Sequence, residues 1–248
     1  MRTARLVTAL MLPLLTITVS TSFAKAGNHP FCKGPGKIIV GTPRDDVLRG
    51  TRGRDTICGL GGDDVIYGRD GNDVLLGGHG TNVLWGGRGV DLVDYSARES
   101  PIVVELDARA GSVSASQSSD TLYDIEAVRG GYGADKMNGD AGSQRFFGGD
   151  NADTLDGGQG DDLIDAGPGA DLIVGGSGDD VLFGRSGDEF RMFGGSGNDR
   201  LYGGSGDEAM YGGAGDDLLD GGPGTDWLLG DEGTDRWLNG ETLVSCES

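Results

Sequence analysis

Aspartates return at one fixed phase through most of this chain. Aligned on Gly175-Gly176-Ser177-Gly178-Asp179-Asp180-Val181-Leu182-Phe183, nine-residue repeats begin at Gly41, Gly50, Gly59, Gly68, Gly77 and Gly86. A second run begins at Gly130 and continues at Gly139, Gly148, Gly157, Ala166, Gly175, Gly184, Gly194, Gly203, Gly212, Gly221 and Gly230, with one extra residue between Gly184 and Gly194. The sixth place holds Asp46, Asp55, Asp64, Asp73 and Asp91 in the first block. In the second it holds Asp135, Asp153, Asp162, Asp171, Asp180, Asp199, Asp217, Asp226 and Asp235. Carboxylates spaced in this way among glycine-rich turns suit a hard cation. Calcium takes six to eight oxygen ligands at flexible geometry, and a turn without side chains leaves its carbonyls open to supply them. Glu189 and Glu208 keep the charge but reach further, while Asn82 and Gln144 keep an oxygen and lose the charge, so weaker or empty sites are expected at those four places.

The elements that position these carboxylates follow from the other columns, because a residue type that returns at the same phase answers the same local demand. The fourth place is Gly except at Arg44 and Asn151, as a tight turn with positive φ or a bare backbone requires. The eighth place is apolar, from Leu48, Ile57 and Ile66 through Met137 and Phe146 to Leu228 and Trp237. In the Gly184 repeat either Arg191 or Met192 fills it, depending on where the extra residue sits. A six-residue turn followed by three residues with one obligatory apolar side chain is too short for a helix and fits a short strand with one inward position. Two repeats complete a coil, and stacked coils set the sixth place of one repeat beside that of the repeat eighteen residues later, on the same edge.

The repeat resembles the consensus G-G-x-G-x-D-x-U-x of the RTX, or hemolysin-type, family. The resemblance covers about two thirds of the chain and implies an all-β fold, a parallel β-roll (β-solenoid) of nonapeptide repeats in two blocks with a strand-containing insert. It also implies Ca²⁺ between successive turns, held by turn carbonyls and by the fourteen sixth-place aspartates named above. The chain then divides into a signal peptide (1–26), an N-terminal cap segment (27–40), a first repeat block (41–94), an insert (95–129), a second block (130–239) and a tail (240–248). In the insert, Val93-Asp94-Tyr95-Ser96 resembles the element that leads into a pair of strands in many such arrays. The apolar run Pro101 to Leu106 and the Ser-rich stretch from Ser112 to Ser119 follow it. A structural bridge or cap is expected there, with a binding loop at the Ser-rich segment as the alternative.

One inward side chain per strand makes a thin core for the length of chain it orders, and stacked carboxylates repel. The metal-free array is therefore predicted to be largely unfolded, with metal binding and folding a single event. The chain has 50 Gly and a formal net charge of −20 over 248 residues, which argues against nucleic acid or a bare anionic membrane as a direct partner. Arg2 and Arg5 precede an apolar stretch from Leu6 to Val19 with small residues near Ala24 and Ala26, the pattern of a secretory signal cleaved after one of those alanines. No other stretch is apolar and long enough to span a membrane. Secretion would bring the chain to calcium, since extracellular sites tuned near 10⁻⁴–10⁻³ M stay empty in cytosol.

Three cysteines, Cys32, Cys58 and Cys246, enter an oxidising compartment, where a Cys32–Cys58 bridge would staple the N-terminal end of the roll. Similar small secreted proteins carry another Cys where Trp237 stands here, which leaves Cys246 unpaired or available to pair between molecules. Catalysis finds little support. His29 and His79 are the only histidines, no His-Glu-x-x-His run occurs, and the serines of Gly-Gly-Ser-Gly runs lack the strand-turn-helix context of a nucleophile. The expectation is a secreted calcium-binding protein, not an enzyme, serving as a surface, matrix or adhesion component. The other classes are an export module related to RTX enzymes or toxins but without their catalytic domain, and a simple calcium buffer.

Overall fold

A three-residue strand with an apolar middle residue can bury that residue only by turning its two neighbours outward. In the computed structural model, which describes residues 32–107, 110–115, 118–187, 190–240 and 242–244, strands such as Leu163–Asp165 and Leu218–Asp220 do this. The expected signal peptide, Glu189 and Cys246 lie outside the described residues.

The strands stack in parallel into two sheets of 11 and 13 strands, giving a β-solenoid of about 11 coils, and no helix occurs among the described residues. On one face Val128, Phe146, Ile164, Leu182, Leu201, Leu219 and Trp237 are successive register partners. On the other Leu155, Ile173, Met192, Met210 and Leu228 are. These two columns face each other and form a single narrow core. Met192, not Arg191, fills the eighth place of its coil, and Phe190 stands in register opposite Glu208, so the extra residue is absorbed in the turn before it.

Many strands are longer than three residues. Thr154–Gln159 and Leu172–Ser177 continue through the first three turn places, because the amides there go on pairing with the neighbouring coil. Outward aromatic side chains also stack from coil to coil, as in Trp85 on Tyr123 with centroids 3.9 Å apart and Phe193 on Tyr211 at 4.8 Å.

The two repeat blocks form one continuous roll. On one face Leu92–Asp94 pairs directly with Ala127–Arg129. On the other the insert supplies three strands, Ile102–Glu105, Gly111–Ala115 and Ser118–Tyr123, paired antiparallel with one another and parallel with the blocks on either side. The expected pair of strands is thus three, and the described part of the Ser-rich stretch, 112–115 and 118–119, lies in strands. Its serines alternate with small or apolar residues, so Gly111 and Val113 face inward while Ser112 and Ser114 face solvent. At the N-terminal end Cys32 and Cys58 form a disulfide and pack with Val40 in a small satellite core.

Candidate metal sites along the two edges

Each coil presents two turns, so sixth-place residues stack along two edges of the roll. On the first edge the Asp46 amide donates to Asp64 Oδ1 at 2.8 Å, Asp64 to Asn82 Oδ1, Asp135 to Asp153 and Asp153 to Asp171. On the second, Asp55 donates to Asp73, Asp73 to Asp91, Gln144 to Asp162, Asp162 to Asp180, Asp180 to Asp199, Asp199 to Asp217 and Asp217 to Asp235. Each carboxylate thus uses one oxygen to cap the turn of the coil before it. Twelve of the fourteen aspartates are buried, and Asp46 and Asp235, at the two ends of the array, are half-buried.

The second oxygen carries the chemistry. In Asp64, Asp73, Asp91, Asp153, Asp162, Asp171, Asp180, Asp199, Asp217 and Asp226, Oδ2 is buried with no hydrogen-bond partner. Except in Asp171, whose repeat opens with Ala166, it leans back over the glycine that opens its own repeat. A Cβ on Gly157 would lie 2.2 Å from Asp162 Oδ2 and 2.7 Å from the Gly175 carbonyl, so a methyl there must displace one of them. Buried anionic oxygens without donors are costly, and a cation relieves that cost directly. No group of three or more His, Cys, Asp or Glu side chains gathers at one point among the described residues. A cation at these oxygens therefore completes its shell with turn carbonyls, as calcium does readily.

Gly157→Ala is expected to weaken binding at that level and to destabilise the calcium-loaded roll by about 1–3 kcal/mol. Gly53→Ala, whose Cβ would meet nothing within 4 Å, is the matched control. Calcium stoichiometry and a thermal melt of both variants read the difference.

Burial pushes these carboxyls up, and neighbouring aspartates add to the shift at most places. Asp153 is raised to about 8, Asp64, Asp91, Asp162, Asp180 and Asp217 to about 7, and Asp171 and Asp199 to about 6.

Three of the sequence-predicted residues have Oδ2 already engaged. Asp46 Oδ2 accepts from the amide and hydroxyl of Thr42 at 2.6 and 2.8 Å, and Asp55 Oδ2 accepts from those of Thr51, leaving Asp55 Oδ1 as its buried oxygen without a partner. Asp135 accepts from Ile102 on one oxygen and Gly131 on the other, both at 2.9 Å.

Two further members of the columns escape the repeat alignment. Asp120 Oδ1 accepts from the amide and side chain of Asn82, and its Oδ2 accepts from the Tyr95 hydroxyl at 2.8 Å, closing the first-edge column without an orphan oxygen. Glu126 Oε2 accepts from the Asp91 amide and continues the second edge. The usable signal was the spacing of acid to buried apolar residue, Asp120 to Leu122 and Glu126 to Val128, which survives after the glycine-rich turn is lost.

No curated protein matches the chain. Among solved structures it is similar to the extracellular lipase LipA from Serratia marcescens, at 22% identity and a TM-score of 0.25, covering 79% of this chain. The match takes in 33% of the lipase chain. The RTX calcium-binding nonapeptide repeat matches residues 40–75, 59–93, 129–164, 147–182, 156–190, 191–219 and 202–236, more than half of the sequence. With its carboxylate columns and bare glycine turns stacked in one roll, the chain belongs to the RTX family of calcium-binding nonapeptide-repeat proteins.

Proposed function

We propose that this is a secreted protein whose β-roll folds on meeting extracellular calcium and then acts as a rigid surface, matrix or adhesion component. The observation that carries the reading is the pair of buried carboxylate columns with ten partnerless oxygens. A chain with such columns is poorly stable without metal, which keeps it unfolded and exportable where calcium is scarce. The proposed ligands are the ten aspartates with an orphan Oδ2, joined by Asp235 at the C-terminal end. Asp46, Asp55 and Asp135 would bind more weakly, because hydrogen bonds already engage their Oδ2 atoms.

The proposed signal peptide ends at Ala24 or Ala26, and the proposed action involves no reaction, since the acidic groups recur coil after coil as ligands do. The test is to produce the full chain in a secreting bacterial host, weigh the protein recovered from the medium, and use it to capture partners with calcium or with chelator. A mass beginning at Lys25 or Gly27 and specific capture only in calcium are expected. Retention in the cell with an intact N-terminus would sink the secretion reading, and equal recovery of nothing in both conditions would leave a calcium buffer.

A further inference from the structure

A second ladder runs along the outside of the second edge, built by the fifth place of each repeat. The Asp179 amide donates to Asp161 Oδ1 at 2.9 Å, Asn198 to Asp179 at 2.8 Å, Asp216 to Asn198 at 2.9 Å and Thr234 to Asp216 at 2.9 Å. Its direction is opposite to that of the buried sixth-place ladder. Here each side chain caps the amide of the following coil, whereas each sixth-place carboxylate caps the preceding one.

We propose that Asp161, Asp179, Asn198 and Asp216 are positioning residues for calcium binding, which hold the carbonyls of the fourth-place glycines steady in the gap between coils without touching the ion.

In a trans peptide the N–H and C=O point in opposite directions. Pinning the Asp179 amide toward the preceding coil therefore turns the Gly178 carbonyl toward the following one. The glycines show this orientation. A Cβ on Gly197 would lie 2.0 Å from Gly178 O, one on Gly215 would lie 1.9 Å from Gly197 O, and one on Gly233 would lie 1.9 Å from Gly215 O. No backbone amide among the described residues donates to these carbonyls, so their lone pairs are available.

Two observations separate positioning from ligation. Fifth-place side chains are exposed, while their sixth-place neighbours Asp162, Asp180, Asp199 and Asp217 are buried. Asn198 also performs the task in the middle of the ladder with a neutral amide oxygen, so the charge is dispensable. On the first edge Asp45, Asp63 and Asp207 cap the following coil in the same way, whereas Ala134, Ala152 and Ala170 cannot. The Asn151 and Gly169 carbonyls still face the following coil there, so a cap holds this orientation and does not create it.

The inference rests on the reading that turn carbonyls hold calcium, and one experiment tests the two separately. Calcium titrations of the full mature chain, followed by calorimetry and far-UV circular dichroism, compare the wild type with Asp179→Ala, Asp179→Asn, Asp180→Asn and Ala152→Asn. Asp179→Ala is expected to raise the calcium midpoint about threefold to tenfold, the range of a lost backbone cap. Asp179→Asn should stay within about twofold of the wild type, because an amide oxygen caps equally well. Ala152→Asn, which supplies a cap for the Ala170 amide, should lower the midpoint. Equal losses in both Asp179 variants would make the residue a ligand and overturn the proposal. No loss in Asp179→Ala, or no gain in Ala152→Asn, would overturn it as well. An unchanged midpoint in Asp180→Asn would instead defeat the calcium reading beneath it.

Discussion

Stripping calcium from the chain is expected to abolish most of its far-UV β-sheet signal, and returning calcium should restore it in one cooperative step. The expected midpoint is on the order of 10⁻⁴–10⁻³ M, the range of extracellular calcium modules. Without metal, ten buried carboxylate oxygens face one another's coils with no donor. The opposing force is a core one side chain deep on each face. At a hundredfold excess over its dissociation constant, each site adds about 2.7 kcal/mol to folding. A handful of sites then equals the net stability of an ordinary domain, roughly 5–15 kcal/mol. Magnesium should fail as a substitute, because it demands shorter octahedral contacts and parts reluctantly with water. A spectrum unchanged by chelation would mean that the solenoid stands without metal, and metal-driven folding would have to be abandoned.

Acid is expected to do part of calcium's work in the metal-free chain and to oppose calcium when both are present. The folded values of Asp153, Asp162 and Asp180 are raised to about 7 or 8 from an ordinary 3.8. A raised carboxyl holds a proton in the folded chain that the unfolded chain has given up. The stabilisation is therefore fully present below 3.8 and is lost as pH rises through about 6 to 8. In chelator, β-sheet content should be greater near pH 4.5 than near pH 8.5. Calcium must displace those same protons, so its midpoint should rise as pH falls from about 8 to about 6, by up to about tenfold per unit for each proton displaced. Titrations in buffers of differing ionisation enthalpy would count the protons released. A midpoint independent of pH across this window would show that the column carboxyls are already ionised before metal arrives.

Much of this architecture was legible in the order of residues, since both the apolar period and the acidic period are local properties of nine consecutive positions. The eighth place had to face inward in every coil, and the sixth had to recur along an edge eighteen residues on. The amide of Asp162 bonding to Asp180 is the direct consequence. The glycine at the fourth place follows from backbone geometry, and Asn151, which replaces it once, takes φ 73° as an asparagine can.

Where the period lapsed, the sequence lost its authority. The insert read as a bridge or cap built on a pair of strands, yet it forms three strands. Serine alternation pays off only against the sheet edges that the two blocks expose, and those edges exist only once both blocks have stacked. Asp120 and Glu126 joined the columns for the same reason, through partners 38 and 35 residues away.

The nine-residue pattern by itself determined the solenoid, its narrow core, the two acidic edges and the calcium chemistry, because each demand is met within one coil and its neighbour. Only the tertiary structure decided that both blocks form one roll and that Met192 takes the inward place. It alone distinguished the carboxylates left with a free oxygen from those, such as Asp135 and Asp120, engaged by hydrogen bonds on both. Those outcomes depend on which donors the stacked coils bring within about 3 Å of each oxygen, a distance that sequence spacing does not encode.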